Sequence, residues 1–162
     1  MARQLSKAAQ FPTVELLNAA ADAAGRTGTY VSLRNCAGKA WITCKVTQGN
    51  AATVLFSVLQ AKDTSGTSSK AINATAAIWA DQDTVTSDAL VSQTAAATFT
   101  TSAAVKNKIV IFEIVPERDM DVANGFNHIT VSTGASNAAN ITVADIELWG
   151  SIQAASPPPA NI

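Results

Sequence analysis

The chain has 162 residues, enough for one domain with a core of its own and short for two. Only 14% of residues are charged, the formal net charge is −1, and one His and two Cys are present. That balance argues against a general nucleic-acid binder, which needs a basic excess, and no apolar run is long enough to cross a bilayer. The N-terminus lacks the apolar core of a secretion signal, so none is expected.

Residues 1–12 read as a polar arm with Arg3 and Lys7 as cations and Leu5 and Phe11 as anchors. A weak strand is expected near 13–18. Val14–Ala24 competes with it as a short helix, because its second half is Ala-rich and Gly25 closes it. Strands are expected near 28–34 and 39–46, with Asn35–Gly38 as the hairpin turn between them. Cys36 then sits at the turn and Cys44 far up the second strand. At about 3.3 Å per residue, the two Cα atoms lie beyond the roughly 7 Å that a disulfide allows. Both are expected as free thiols, with Cys44 on the apolar face beside Ala40, Ile42 and Val46.

From there the dominant period is two. Thr53–Ala61 is apolar on both faces, with Val54, Phe56 and Val58 opposite Leu55 and Leu59. Lys108–Val115 is similar, with Val110, Phe112 and Ile114 opposite Ile109 and Ile111. Asn127–Thr133 turns Ile129 and Val131 inward, and Ile141–Ile152 aligns Ile146, Leu148 and Ile152. Weaker strands are expected near 70–80 and 97–102. Turn residues at 25–28, 48–50, 63–66, 124–125 and 134–137 separate these runs. Eight or nine short strands of this kind predict an all-β, antiparallel, jelly-roll-like sandwich over 13–152. Residues 153–162 are expected as a tail in which Pro157, Pro158 and Pro159 favour polyproline geometry. The segments Gly49–Val54 and Ser136–Val143 echo one another and read either as equivalent loops entering opposite sheets or as chance similarity.

The search for chemistry is mostly negative. His128 is expected on the polar face of its strand with Thr130 and Ser132, facing solvent or an interface, without the partners that nucleophilic catalysis needs. Gly38-Lys39 resembles the end of a P-loop, but Leu33 and Ala40 occupy the positions that need Gly and Ser or Thr. One His and two distant Cys make no zinc site. Glu117, Asp119, Asp121 and Asn124, followed by Gly125, are weak candidates for a hard cation such as calcium. They read equally as a solvated acidic loop, and Asp81 and Asp83 make a weaker case. No cofactor and no enzymatic activity are expected. Trp41, Trp79 and Trp149 on outward faces could form a sugar platform or bury at interfaces. The sequons at Asn73 and Asn140 are expected to be accidents of a Thr-rich chain. Charge is asymmetric: residues 1–45 carry six cations and two anions, and the remainder carries most of the acid.

The run Asp22–Asn35, then Lys39-Ala40, Gln48–Val54, Ser69–Ile72, Lys106–Glu113 and Ser132–Ala139, resembles small virion structural proteins of tailed bacteriophages. The resemblance spans nearly the whole chain and includes no catalytic signature. It implies a protein present in many copies on the capsid exterior, assembled in the host cytoplasm. The expectation is a decoration, or cement, protein that forms a homotrimer and binds the major capsid protein, without nucleic-acid or membrane partners. Contacts are expected from Arg3, Leu5, Lys7, Phe11, Arg26, Arg34 and Pro157–Pro159. A neck or fibre protein, or a host-glycan-binding module, is the alternative.

Overall fold

The computed structural model describes residues 11–34, 36 and 38–149. The expected contact residues Arg3, Leu5, Lys7, Pro157, Pro158 and Pro159, and the strand position Ile152, lie outside them.

The fold is an all-β sandwich of two antiparallel sheets. The strands are β1 (Thr13–Ala21), β2 (Arg26–Thr27), β3 (Val31–Ser32), β4 (Ala40–Gln48), β5 (Leu55–Ala61) and β6 (Lys70–Ala71). They continue with β7 (Ala77–Asp81), β8 (Val91–Gln93), β9 (Thr98–Thr100), β10 (Asn107–Ile114), β11 (His128–Thr133) and β12 (Asn140–Leu148). The first sheet runs β1-β12-β4-β10-β7-β8. The second runs β2-β11-β5-β6, with β3 also on β11 and β9 also on β5.

Period-two patterning builds the core directly. Ala40, Ile42, Cys44 and Val46 from β4 meet Val110, Phe112 and Ile114 from β10 and Ala144, Ile146 and Leu148 from β12. Opposite them stand Phe56 and Val58 of β5 with Ile129 and Val131 of β11. Each of these side chains is essentially removed from water, which contributes about 1.5–3 kcal/mol for a large aliphatic or aromatic group.

Several expectations need correction. Val14–Ala24 is no helix: Val14, Leu16 and Leu17 are buried, and the segment pairs with β12 from Thr13↔Glu147 to Ala21↔Ile141, with register shifts along the way. Tertiary burial overrides the Ala-rich local preference. The segments at 28–34 and 39–46 do not form a hairpin, since β3 lies in the second sheet and β4 in the first. The expected strand at 70–80 divides into β6 and β7, one in each sheet. Between them Asn73 N donates to the Asp119 carbonyl at 2.8 Å, which carries the chain across the sandwich. Both cysteines are free, and Cys44 is buried.

Gly28 shows why this packing is exacting. A Cβ there would come within 2.5 Å of the Leu16 carbonyl oxygen and 2.8 Å of the Thr130 hydroxyl, so only glycine lets the strand β1 approach.

Candidate interaction surface

The polar groups singled out from the sequence are mostly internal ties. Asp119 is fully buried. It accepts from Arg118 Nε at 2.7 Å and Nη2 at 2.9 Å, from Thr75 Oγ1 at 2.6 Å and from Val115 N at 2.7 Å. Burial pushes its carboxyl pKa up, but the guanidinium, hydroxyl and amide together outweigh that and hold it below the usual range. Asp121 is claimed by Lys70 Nζ at 2.6 Å and Asn124 Nδ2 at 2.8 Å, while Glu117 is exposed. The acidic loop is therefore not a convergent oxygen cage. Among the described residues no three His, Cys, Asp or Glu gather as a metal site would require.

His128 is not solvent-facing. It is buried, as is Thr130, and Ser132 is half-buried, so the strand β11 is covered on both faces. With the Asn127 amide nitrogen turned to His128 Nδ1 at 2.6 Å, its oxygen accepts from Arg34 Nε at 3.0 Å. Burial is the main cause that lowers the His128 pKa and Arg34 adds to it, while Asp63 works the other way. Arg34 is exposed, and a shallow cavity of about 270 Å³ opens beside it against Cys36, Pro116, Glu117 and Val122.

Arg26 is engaged within the chain. Its guanidinium donates to Asn18 O at 2.9 Å, Asn18 Oδ1 at 3.1 Å, Thr142 O at 2.8 Å and Thr142 Oγ1 at 2.7 Å. Its Nε lies 3.8 Å from the buried Asp22 carboxylate. Burial raises the Asp22 pKa, and the Thr133 hydroxyl and Arg26 oppose that rise.

One tie escaped the sequence reading. Lys108 is 1% exposed, and its ammonium donates to Gln48 Oε1, to Ser102 O at 2.9 Å and to Ala104 O at 2.5 Å. All three N–H donors are used. The signal was present, because Lys108 shares its face with Val110, Phe112 and Ile114 in a strict period of two.

The aromatics separate into two groups. Phe11, Trp41 and Trp149 form a cluster: Trp41 and Trp149 stack with centroids 5.7 Å apart, and Phe11 lies 6.1 and 6.0 Å from them. Phe11 is thus seated on its own chain. Trp79 stays 41% exposed on the outer face of the first sheet, in one row with Thr43, Ile111 and Ser92.

Much of what remains outside belongs to one stretch of the chain. Of the eight large apolar side chains exposed among the described residues, Trp79, Val85, Leu90, Val91 and Val105 belong to the stretch 79–105. This stretch leaves the first sheet after β7, returns to its border as β8, passes through β9 in the second sheet and re-enters as β10. Asp83 anchors its root by accepting from Lys106 at 2.9 Å and Thr86 at 2.7 Å, which lowers its pKa to about 2.

Fold and surface together define an all-β sandwich in which many polar groups of the described residues are tied internally and five of eight exposed large apolar side chains belong to the stretch 79–105. Neither protein-family models nor curated proteins give a match. The chain is similar to the SPBc2 prophage-derived protein YomS, known from a crystal structure. The two share 12% identity with a TM-score of 0.47, covering 85% of this chain and 92% of that one.

Proposed function

We propose that the chain is a non-enzymatic structural subunit of a tailed-phage particle, a decoration protein bound to the capsid exterior. The observation that carries this reading is the division of labour among its side chains. His128, Cys44 and several carboxylates are locked into the fold, and five of the eight large apolar side chains left outside belong to 79–105. Such a surface suits permanent contact with other subunits. The sequence resemblance to small virion proteins supports the same reading. So does the strand order: β1-β12-β4-β10 faces β3-β11-β5-β6, the arrangement we read as a jelly roll, with β7, β8 and β9 inserted before β10.

The mechanism is mass action. A trimer that binds only the assembled shell stabilises it against expansion by its own binding free energy. In this reading residues 1–10 and 153–162 supply contacts to neighbouring subunits, and exposed Arg34 faces acidic capsid surface. Deleting residues 1–10, which leaves Phe11 and Pro12 in the body, is expected to abolish co-sedimentation with decoration-free heads while leaving the far-UV circular dichroism unchanged. Undiminished occupancy on the heads would sink this reading.

A second reading rests on Trp79 alone, whose half-exposed ring on a flat sheet face could stack on a sugar. Binding on a glycan array that Trp79→Ala removes would favour it.

A further inference from the structure

Most cations of the described residues already face a carboxylate: Arg26 meets Asp22, Lys39 meets Glu113, Lys70 meets Asp121, Lys106 meets Asp83 and Arg118 meets Asp119. Arg34 is different. It is exposed at the mouth of the cavity against Cys36, Pro116 and Val122, and what holds its guanidinium is an amide. Asn127 Oδ1 accepts from Arg34 Nε at 3.0 Å and from Nη2 at 3.3 Å, while Asn127 Nδ2 donates to His128 Nδ1 at 2.6 Å. The other N–H groups of Arg34 are left for a partner, and a planar guanidinium suits a carboxylate.

This chain of bonds works in one protonation state only. An amide carries its acceptor on one side and its donors on the other, so the orientation that holds Arg34 needs a bare Nδ1 on a neutral ring. The ring is 7% exposed, and its strand position pairs with Ser32 of β3 and Ala61 of β5, so it stays against Asn127. A proton makes both ring nitrogens donors, and Nδ1–H then meets Nδ2–H, donor against donor. The amide relieves this by turning over. Its oxygen accepts from the ring, its nitrogen faces Arg34 Nε and Nη2, and Arg34 loses its acceptor. Two discrete amide orientations are thus selected by a single proton.

The charged groups around the ring are Arg34 after β3, Lys62 and Asp63 after β5, and Glu117, which lines the cavity with Asn127. The Lys62 ammonium is turned to the Phe126 ring at 5.3 Å. Burial, then Arg34, favours the neutral ring, while Asp63 and a hydrogen bond to the Lys62 backbone oppose them, and the balance lies below 6.5.

We propose that His128, Asn127 and Arg34 form a proton-operated hold on a carboxylate-binding arginine: with the ring neutral Arg34 is fixed at the cavity mouth for a partner's carboxylate, and one proton on the ring releases it. The partner's carboxylate rests on the proposed decoration role, whereas the relay is a property of the free chain.

Proton and nitrogen-15 NMR on the full chain tests the relay, with Arg34 assigned through Arg34→Lys. From pH 8 to pH 5 the Arg34 Nε–H resonance is expected to move to the position of free arginine, with the same midpoint as the His128 ring. In His128→Gln no such transition is expected. In Asn127→Asp a carboxylate accepts from both neighbours, so the ring midpoint is expected to rise by about one pH unit and Arg34 to stay held. Circular dichroism at each pH monitors the fold. An Arg34 signal that ignores the ring's titration, an Asn127→Asp chain that releases Arg34 as wild type does, or a ring that titrates only as the chain unfolds overturns the relay. A working relay in a chain that ignores phage heads defeats the decoration role alone.

Discussion

His128 illustrates how a residue type suited to chemistry becomes a structural group. Its ring is buried between strands, with Asn127 and Arg34 on one side and Asp63 near enough to feel its charge. Desolvation favours the neutral ring, so the folded-state pKa lies below the ordinary value of 6.5. The unfolded chain then takes up this proton first as pH falls. Stability from this group is complete above 6.5 and is lost as pH drops from there through the folded-state pKa. Urea unfolding at pH 7.5 and pH 5 should show wild type losing more stability on acidification than His128→Gln does. Equal losses would show that the ring does not titrate between the two states. Lys108 is the companion case: burial lowers its pKa, and three oxygens replace the water it gave up.

At the scale of elements, the legible part of this fold was the part written in period two. The strands β4, β5, β10, β11 and β12 stand where alternation placed them, because one face of each must meet the core. The β1 segment was ambiguous because Ala-rich sequence satisfies helix and strand alike, and only the partner strand β12 decides between them. The split between β6 and β7 was hidden because it depends on Asp119, some 45 residues away. The acidic loop misled for a related reason: carboxylate spacing was visible, whereas the cations that claim the carboxylates, Arg118 and Lys70, are assigned only by folding.

The echoing loops are more informative than their sequences suggested. They enter opposite sheets and fasten to each other. Gly49 N donates to Ala139 O at 3.2 Å, Asn50 N to Asn140 Oδ1 at 2.9 Å, Asn140 Nδ2 to Ala52 O at 3.0 Å, and Ser136 Oγ to Thr53 O at 2.8 Å. Asn140 is fully buried, which removes its sequon from reach of modification in the folded chain. Replacing Asn140 with Ala strands several of these partners and should cost about 2 kcal/mol, read as a lower urea midpoint at unchanged slope.

On the scale of the whole molecule, the candidate surface was legible only in outline. Poverty of reactive groups pointed to packing as the function, but exposure is a property of the fold, and nothing in the sequence of 79–105 separates Val85 or Val91 from a core valine. The cations expected at the interface divide in the same way: Arg34 is exposed, whereas Arg26 is tied into the sandwich.

The pairing of β1 with β12 has one more consequence. Leu148 N donates to Pro12 O at 3.0 Å, and Phe11 rests on Trp149, so the body's first and last strands meet at one corner. The sandwich is, in effect, a closed circuit whose seam happens to fall there. A circularly permuted chain, joined across that corner by a short Gly/Ser linker and reopened in the 63–66 turn, should fold to the same circular dichroism spectrum.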